Sequence, residues 1–190
     1  MRALLPALLV LLAPLSASAR FHQWDITEVY SNANGSVQFV EAQVVNPVDD
    51  ENLTGGQTLS SSSTTFTIPS NLATTTTTHH LLFATPAFAS QPGCTSVTPD
   101  FTLAGPNFMS TVSSDLINFA NVNIFSYTGG ELPTDGVHSL NEAFNSNVRT
   151  TANNSPTNFA GQTCQLPEPS GWLGLLAGIA CLAGLTRARQ

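Results

Sequence analysis

The chain has 190 residues, 42% hydrophobic and only 9% charged, with a formal net charge of −7 and no lysine. A low charge alongside that much apolar material argues for a folded domain rather than a disordered chain. Between residues 20 and 165 only Arg20 and Arg149 are cationic, against 11 acids, and such a surface repels phosphate backbones, which excludes nucleic acid as a partner.

The first segment, Met1-Arg2 followed by an apolar run from Ala3 to Leu15 and then Ser16-Ala17-Ser18-Ala19, has the three parts of a signal peptidase substrate. Ala17 and Ala19 supply the small side chains required at the cut, so residues 1–19 read as a signal peptide and the mature chain starts at Arg20. The run is shorter than the ~20 residues that span a bilayer.

The body reads as short strands. Trp24 to Tyr30 places apolar residues around polar ones, and Ser31-Asn32-Ala33-Asn34-Gly35 supplies turn chemistry. Ser36 to Asn46 then alternates with a two-residue period, so the pair predicts a β-hairpin. Pro47 to Asn52 is an acidic loop, where solvated charge is the ordinary reading of Asp49, Asp50 and Glu51. A turn at Gly55-Gly56, strands at Thr64–Ile68 and His79–Thr85, and further strands at Pro99–Leu103, Leu116–Phe119 and Asn123–Tyr127 follow, with turns at Gly129-Gly130 and Pro133–Gly136. Short strands with Gly- and Pro-rich turns predict an all-β antiparallel sandwich over 20–144. The polar stretch from Asn145 reads as a strand fragment leading into a stem, 145–165.

The order Ile26–Tyr30, Gln38–Ala42, Leu53-Thr54-Gly55, Phe66–Pro69, Leu81–Ala84 and Gly136–Asn141 resembles a lamin-tail domain, covering residues 24 to about 142. That family is an immunoglobulin-like β-sandwich, and the resemblance implies a binding or structural module rather than a catalyst. Glu41-Ala42-Gln43 departs from the family's usual Glu-Leu pair and following aromatic on the second strand.

The search for chemistry finds little. There is no Gly-x-Ser-x-Gly elbow, no His-x-x-x-His and no His-Glu-x-x-His. His79 and His80 are adjacent, so on a strand they point to opposite faces. Glu28 and Glu41 can face each other across the hairpin. No catalytic residue, metal ligand or cofactor is expected; an exported polysaccharide hydrolase, which would need two converging carboxylates of unequal pKa, is the alternative, and a glycan-binding adhesive module is a third reading. Cys94 and Cys164 form an even pair in a chain bound for an oxidising compartment, either bridged as a disulfide or left as thiols. A bridge would stabilise the fold by ~3–5 kcal/mol in the chain-entropy model.

The far end, 166–190, runs Pro167-Glu168-Pro169, then an apolar segment from Gly171 to Leu185, then a basic end with Arg187 and Arg189, which act as the stop-transfer charges. The apolar stretch gives about 22 Å of helix against a hydrocarbon core of ~30 Å, which suits temporary insertion in the inner membrane. These three parts in order resemble the PEP-CTERM sorting signal of Gram-negative bacteria, whose membrane protease is exosortase. The resemblance implies removal of the tail and transfer of the body to the cell surface or an exopolysaccharide matrix, so signal peptidase and exosortase are the expected processing partners.

Overall fold

The computed structural model describes residues 20–75 and 77–166. The expected signal peptide, with Ala17 and Ala19, and the expected sorting tail from Pro167 onward lie outside the described residues. Among the described residues no helix is long and apolar enough to cross a membrane.

Among the described residues there are ten strands and one 3-10 helix: β1 (Asp25–Ser31), β2 (Gln38–Val44), β3 (Thr58–Ser60), β4 (Thr65–Thr67), β5 (His79–Ala84), the 3-10 turn Pro86–Ser90, β6 (Phe101–Thr102), β7 (Asp115–Phe119), β8 (Asn123–Tyr127), β9 (His138–Glu142) and β10 (Arg149–Asn153). They form a six-stranded sheet in the order β10-β9-β1-β2-β5-β6 and a four-stranded sheet in the order β4-β3-β7-β8. The architecture is all-β, with two layers around one apolar core. The expected hairpin is β1 and β2, paired antiparallel from Asp25↔Gln43 to Ser31↔Gln38. One pairing departs from the wholly antiparallel expectation: β6 runs parallel to β5. The 3-10 turn and the chain after it bring the polypeptide back so that Phe101 and Thr102 run beside Phe83 and Ala84, the last residues of β5.

Between the layers pack Trp24, Val29, Val40, Phe83, Phe119 and Phe125, each essentially buried. Phe119 sits at the centre, edge-on to Phe21, Trp24 and Phe83 with ring centroids 5.1, 6.4 and 5.6 Å away. Such edge-to-face contacts add to the area each ring buries.

The outer face of the six-stranded sheet is not left to solvent. Alternation along β2 sends Val40, Ala42 and Val44 into the core and Phe39, Glu41 and Gln43 to the other side. There, Tyr30, Phe39, Leu82, Phe88, Cys94, Val97 and Leu166 form a second, smaller apolar cluster. It lies beneath the 3-10 turn, the loop after it, and the end of the described chain.

The segment 145–165 is therefore not a free stem. Arg149–Asn153 is the edge strand β10, in register with β9 from Arg149↔Glu142 to Asn153↔His138. Asn154, Asn158 and Leu166 are buried beyond it. The polar composition that suggested a stem serves instead to hydrogen-bond this chain to the sheet, and the packed body runs to Leu166.

Substituting Phe119→Ala removes the ring on which both aromatic ends of the core converge. The expected loss is about 3–5 kcal/mol of stability, read as a lower urea midpoint at unchanged slope.

Candidate functional site

The strongest concentration of chemistry-bearing side chains is on that outer face, where β1, β2 and β5 carry Glu28, Glu41 and His80. A bulge sets the geometry. The β1–β2 register shifts between Ile26 and Glu28, so Thr27 is an extra residue and the alternation changes phase. Ile26 and Val29 thus both face the core, and Glu28 turns outward directly opposite Glu41. A cavity of about 320 Å³ opens beside them, lined also by Gln43, His80, Asn141 and Thr150.

Both carboxylates are almost wholly buried, at 2% and 4% exposure. Glu28 Oε1 accepts hydrogen bonds from Ser139 Oγ at 2.6 Å and the Ser155 amide at 2.9 Å, and Oε2 accepts one from Ser155 Oγ at 3.1 Å. Glu41 Oε1 lies 2.7 Å from His80 Nδ1, and its Oε2 accepts the Thr157 amide at 2.6 Å. The amide of Gln43 contacts the other nitrogen of that ring at 3.2 Å. Burial, with Glu41 adding repulsion, pushes the Glu28 carboxyl up to about 7. Asp100 is also pushed up by burial, although it accepts the amides of Leu82 and Phe159.

Two carboxylates in one cleft, one of them raised toward neutrality, is the arrangement a polysaccharide hydrolase would need. The hydrogen bonds point elsewhere. Every oxygen of the pair already faces a donor within the chain, and Glu28 is closed off by Ser139 and Ser155. A general acid must reach the leaving-group oxygen of a substrate, and neither carboxyl is free to do so here.

The same use of carboxylates recurs across the molecule. The acidic loop is not simply solvated: Glu51 is fully buried and accepts the amides of His22 and Gln23, while its carbonyl takes the Trp24 indole N–H at 2.9 Å. Asp50 accepts the Thr75 amide and hydroxyl and pairs with Arg20 at 3.2 Å. These bonds tie the start of the domain down; residue order in the sequence carries no sign of them. Asp115 takes the amides of Ser62, Ser110 and Leu116, which hold its carboxyl below the usual range against the opposing effect of burial.

The histidines divide as strand alternation requires. His80 meets Glu41, and His79 stacks on Phe159 with centroids 4.2 Å apart. His22 and His138 each contact an acid, Glu51 and Asp135, at 2.6 Å. Among the described residues no group of His, Cys, Asp and Glu is placed to hold a metal ion.

Cys94 and Cys164 are joined by a disulfide, with Cα atoms 5.2 Å apart across 70 residues of sequence. In the chain-entropy model a loop of that length is worth about 4 kcal/mol. Pro167, Glu168, Pro169, Arg187 and Arg189 lie outside the described residues.

The raised Glu28 carboxyl fixes a sign for pH dependence. The folded state holds its proton more tightly than the unfolded chain, so its stabilising contribution is complete below the ordinary value of 4.5 and is lost as pH rises through about 7. A shift of that size corresponds to about 3 kcal/mol at most. Urea unfolding of the wild type and Glu28→Gln at pH 5 and pH 8 isolates it: the variant is expected to lack the part of the wild-type decline that Glu28 supplies. Compared with known proteins, the chain matches no family model, no curated protein and no solved structure.

Proposed function

We propose that the chain is a non-enzymatic, exported module of the cell surface or extracellular matrix: a lamin-tail-like, immunoglobulin-type sandwich carried out by its signal peptide and sorted by its C-terminal tail. The observation that carries this reading is the Cys94–Cys164 disulfide, a bond that persists in oxidising compartments and is rare in the cytosol. It agrees with the signal peptide of 1–19, which routes the chain to such a compartment.

Two further features support a role in binding or scaffolding rather than turnover. The buried carboxylates Glu28, Glu41 and Asp100 are spent on backbone amides rather than held open to a substrate. The exposed face of the four-stranded sheet carries Leu116, Ile124 and Ser126 among hydroxyl and amide side chains, a neutral surface compatible with exopolysaccharide and water. On this reading signal peptidase cuts after Ala19, exosortase acts at or near Pro167-Glu168-Pro169, and Arg187 and Arg189 hold the tail in the inner membrane until then.

Intact mass and cell fraction of the protein in its native host, compared with a strain lacking exosortase, test the reading. A species missing both ends, at the surface or in the medium only when the protease is present, is the expected result. A full-length tail retained in the inner membrane of both strains would sink it.

A further inference from the structure

Residues 154–166 fold back across the outer face of the six-stranded sheet as a closed loop. Its two ends meet, since the Leu166 amide donates to Asn154 Oδ1 at 2.7 Å. Thr157 and Thr163 bridge across it, and Gly161, at φ +75°, turns the chain between them.

The underside of this loop is unusual. The amides of Ser155, Thr157 and Phe159, alternate residues as in a strand, all donate toward the sheet. Their acceptors are side chains rather than a neighbouring strand's carbonyls: Glu28 on β1 at 2.9 Å, Glu41 on β2 at 2.6 Å, and Asp100, just before β6, at 3.0 Å. The loop thus crosses the sheet over three carboxylates. Its apolar attachment consists of Leu166 in the second cluster and the half-buried Phe159 ring, which stacks on His79 and packs against the main core. Asn158, itself buried, donates its side-chain amide to the Thr98 carbonyl at 2.9 Å, and the one covalent attachment is through Cys164 to the fully buried Cys94.

We propose that residues 155–166 are a redox-latched strap: the Cys94–Cys164 disulfide keeps it seated, and reduction lifts it to uncover the acidic face formed by Glu28, Glu41 and Asp100. This holds whether or not the sorting reading above is correct. The reductant is an external dithiol. One of its thiolates attacks the sulfur of Cys164, the more exposed partner, and the Cys94 thiolate leaves and takes up a proton. The second thiolate of the reagent then resolves the mixed disulfide, releasing Cys164 as a thiol and the reagent as its own disulfide. Two electrons pass to the protein and two thiols result.

The carboxylates supply the reason the strap lifts. Glu28 and Glu41 are direct cross-strand partners, and like charges so placed repel. Besides the strap's donors, Ser139 Oγ on β9 donates to Glu28 and His80 meets Glu41, and no arginine or lysine is paired with either carboxylate among the described residues. While the bond is closed the amides cannot leave and water cannot replace them. Once it opens, water solvates the carboxylates fully, which the seated strap prevents.

Hydrogen exchange on the oxidised protein, with and without a dithiol, tests this. The amides of Ser155, Thr157 and Phe159 are expected to exchange at least about tenfold faster after reduction, with β1, β2 and β5 keeping their protection. A Cys94→Ser/Cys164→Ser variant, which never forms the bond, is expected to give the same pattern. Unchanged protection of the three amides would overturn the proposal, because the carboxylates alone would then hold the strap. Loss of protection throughout the sheet, in both the reduced protein and the variant, would overturn it too, since the bond would then staple the whole fold.

Discussion

The structure depends on carboxylates that accept backbone N–H groups. The body carries 11 acids and two arginines, so ion pairs cannot satisfy most of its negative charge. Amides do so instead. Asp25 takes Asn145; Glu28, Glu41 and Asp100 take the closing loop; Glu51 takes the first residues; and Asp115 and Asp135 organise turns of their own. Hydrogen bonds in which one partner is ionised are about twice as strong as neutral ones. They secure segments that form no regular pairing, so both ends of the domain are fastened by side chains.

This constraint also explains the placement of the second apolar cluster. A six-stranded sheet with one face on the core still has another face. Here half of that face is apolar, with Tyr30, Phe39 and Leu82 under the 3-10 turn, and half is acidic under the closing loop. The disulfide stands on the apolar side, with Cys94 and Leu166 in the same cluster. The two halves divide the work: oil and sulfur hold the loop's end, and carboxylates hold its middle.

Much of the fold was legible in the sequence because strand alternation is a local signal. The β1–β2 hairpin follows from a period-two pattern beside a turn, and β4, β5, β7 and β8 from short apolar segments bounded by turn residues. Two things were not. The phase change at Thr27 depends on pairing with β2, and no single strand reveals a bulge. The closing loop looks like a linker because its residues bury polar groups rather than apolar ones, and composition cannot distinguish an amide donated to water from one donated to Glu28 or Glu41. The opposition of Glu28 and Glu41 was within reach of hairpin reasoning; their engagement by Ser139, Ser155 and Thr157, each more than a hundred positions away, was not.

The disulfide has a consequence for durability. Cys94 and Cys164 enclose β6 to β10 and the loops that join them, including the exposed turns near Val112 and Val148. A peptide bond cut at either turn leaves two pieces that are still one covalent molecule, each fragment also held by strands of the same sheets. Nicking in a protease-rich setting therefore changes the number of chain ends without dispersing the fold.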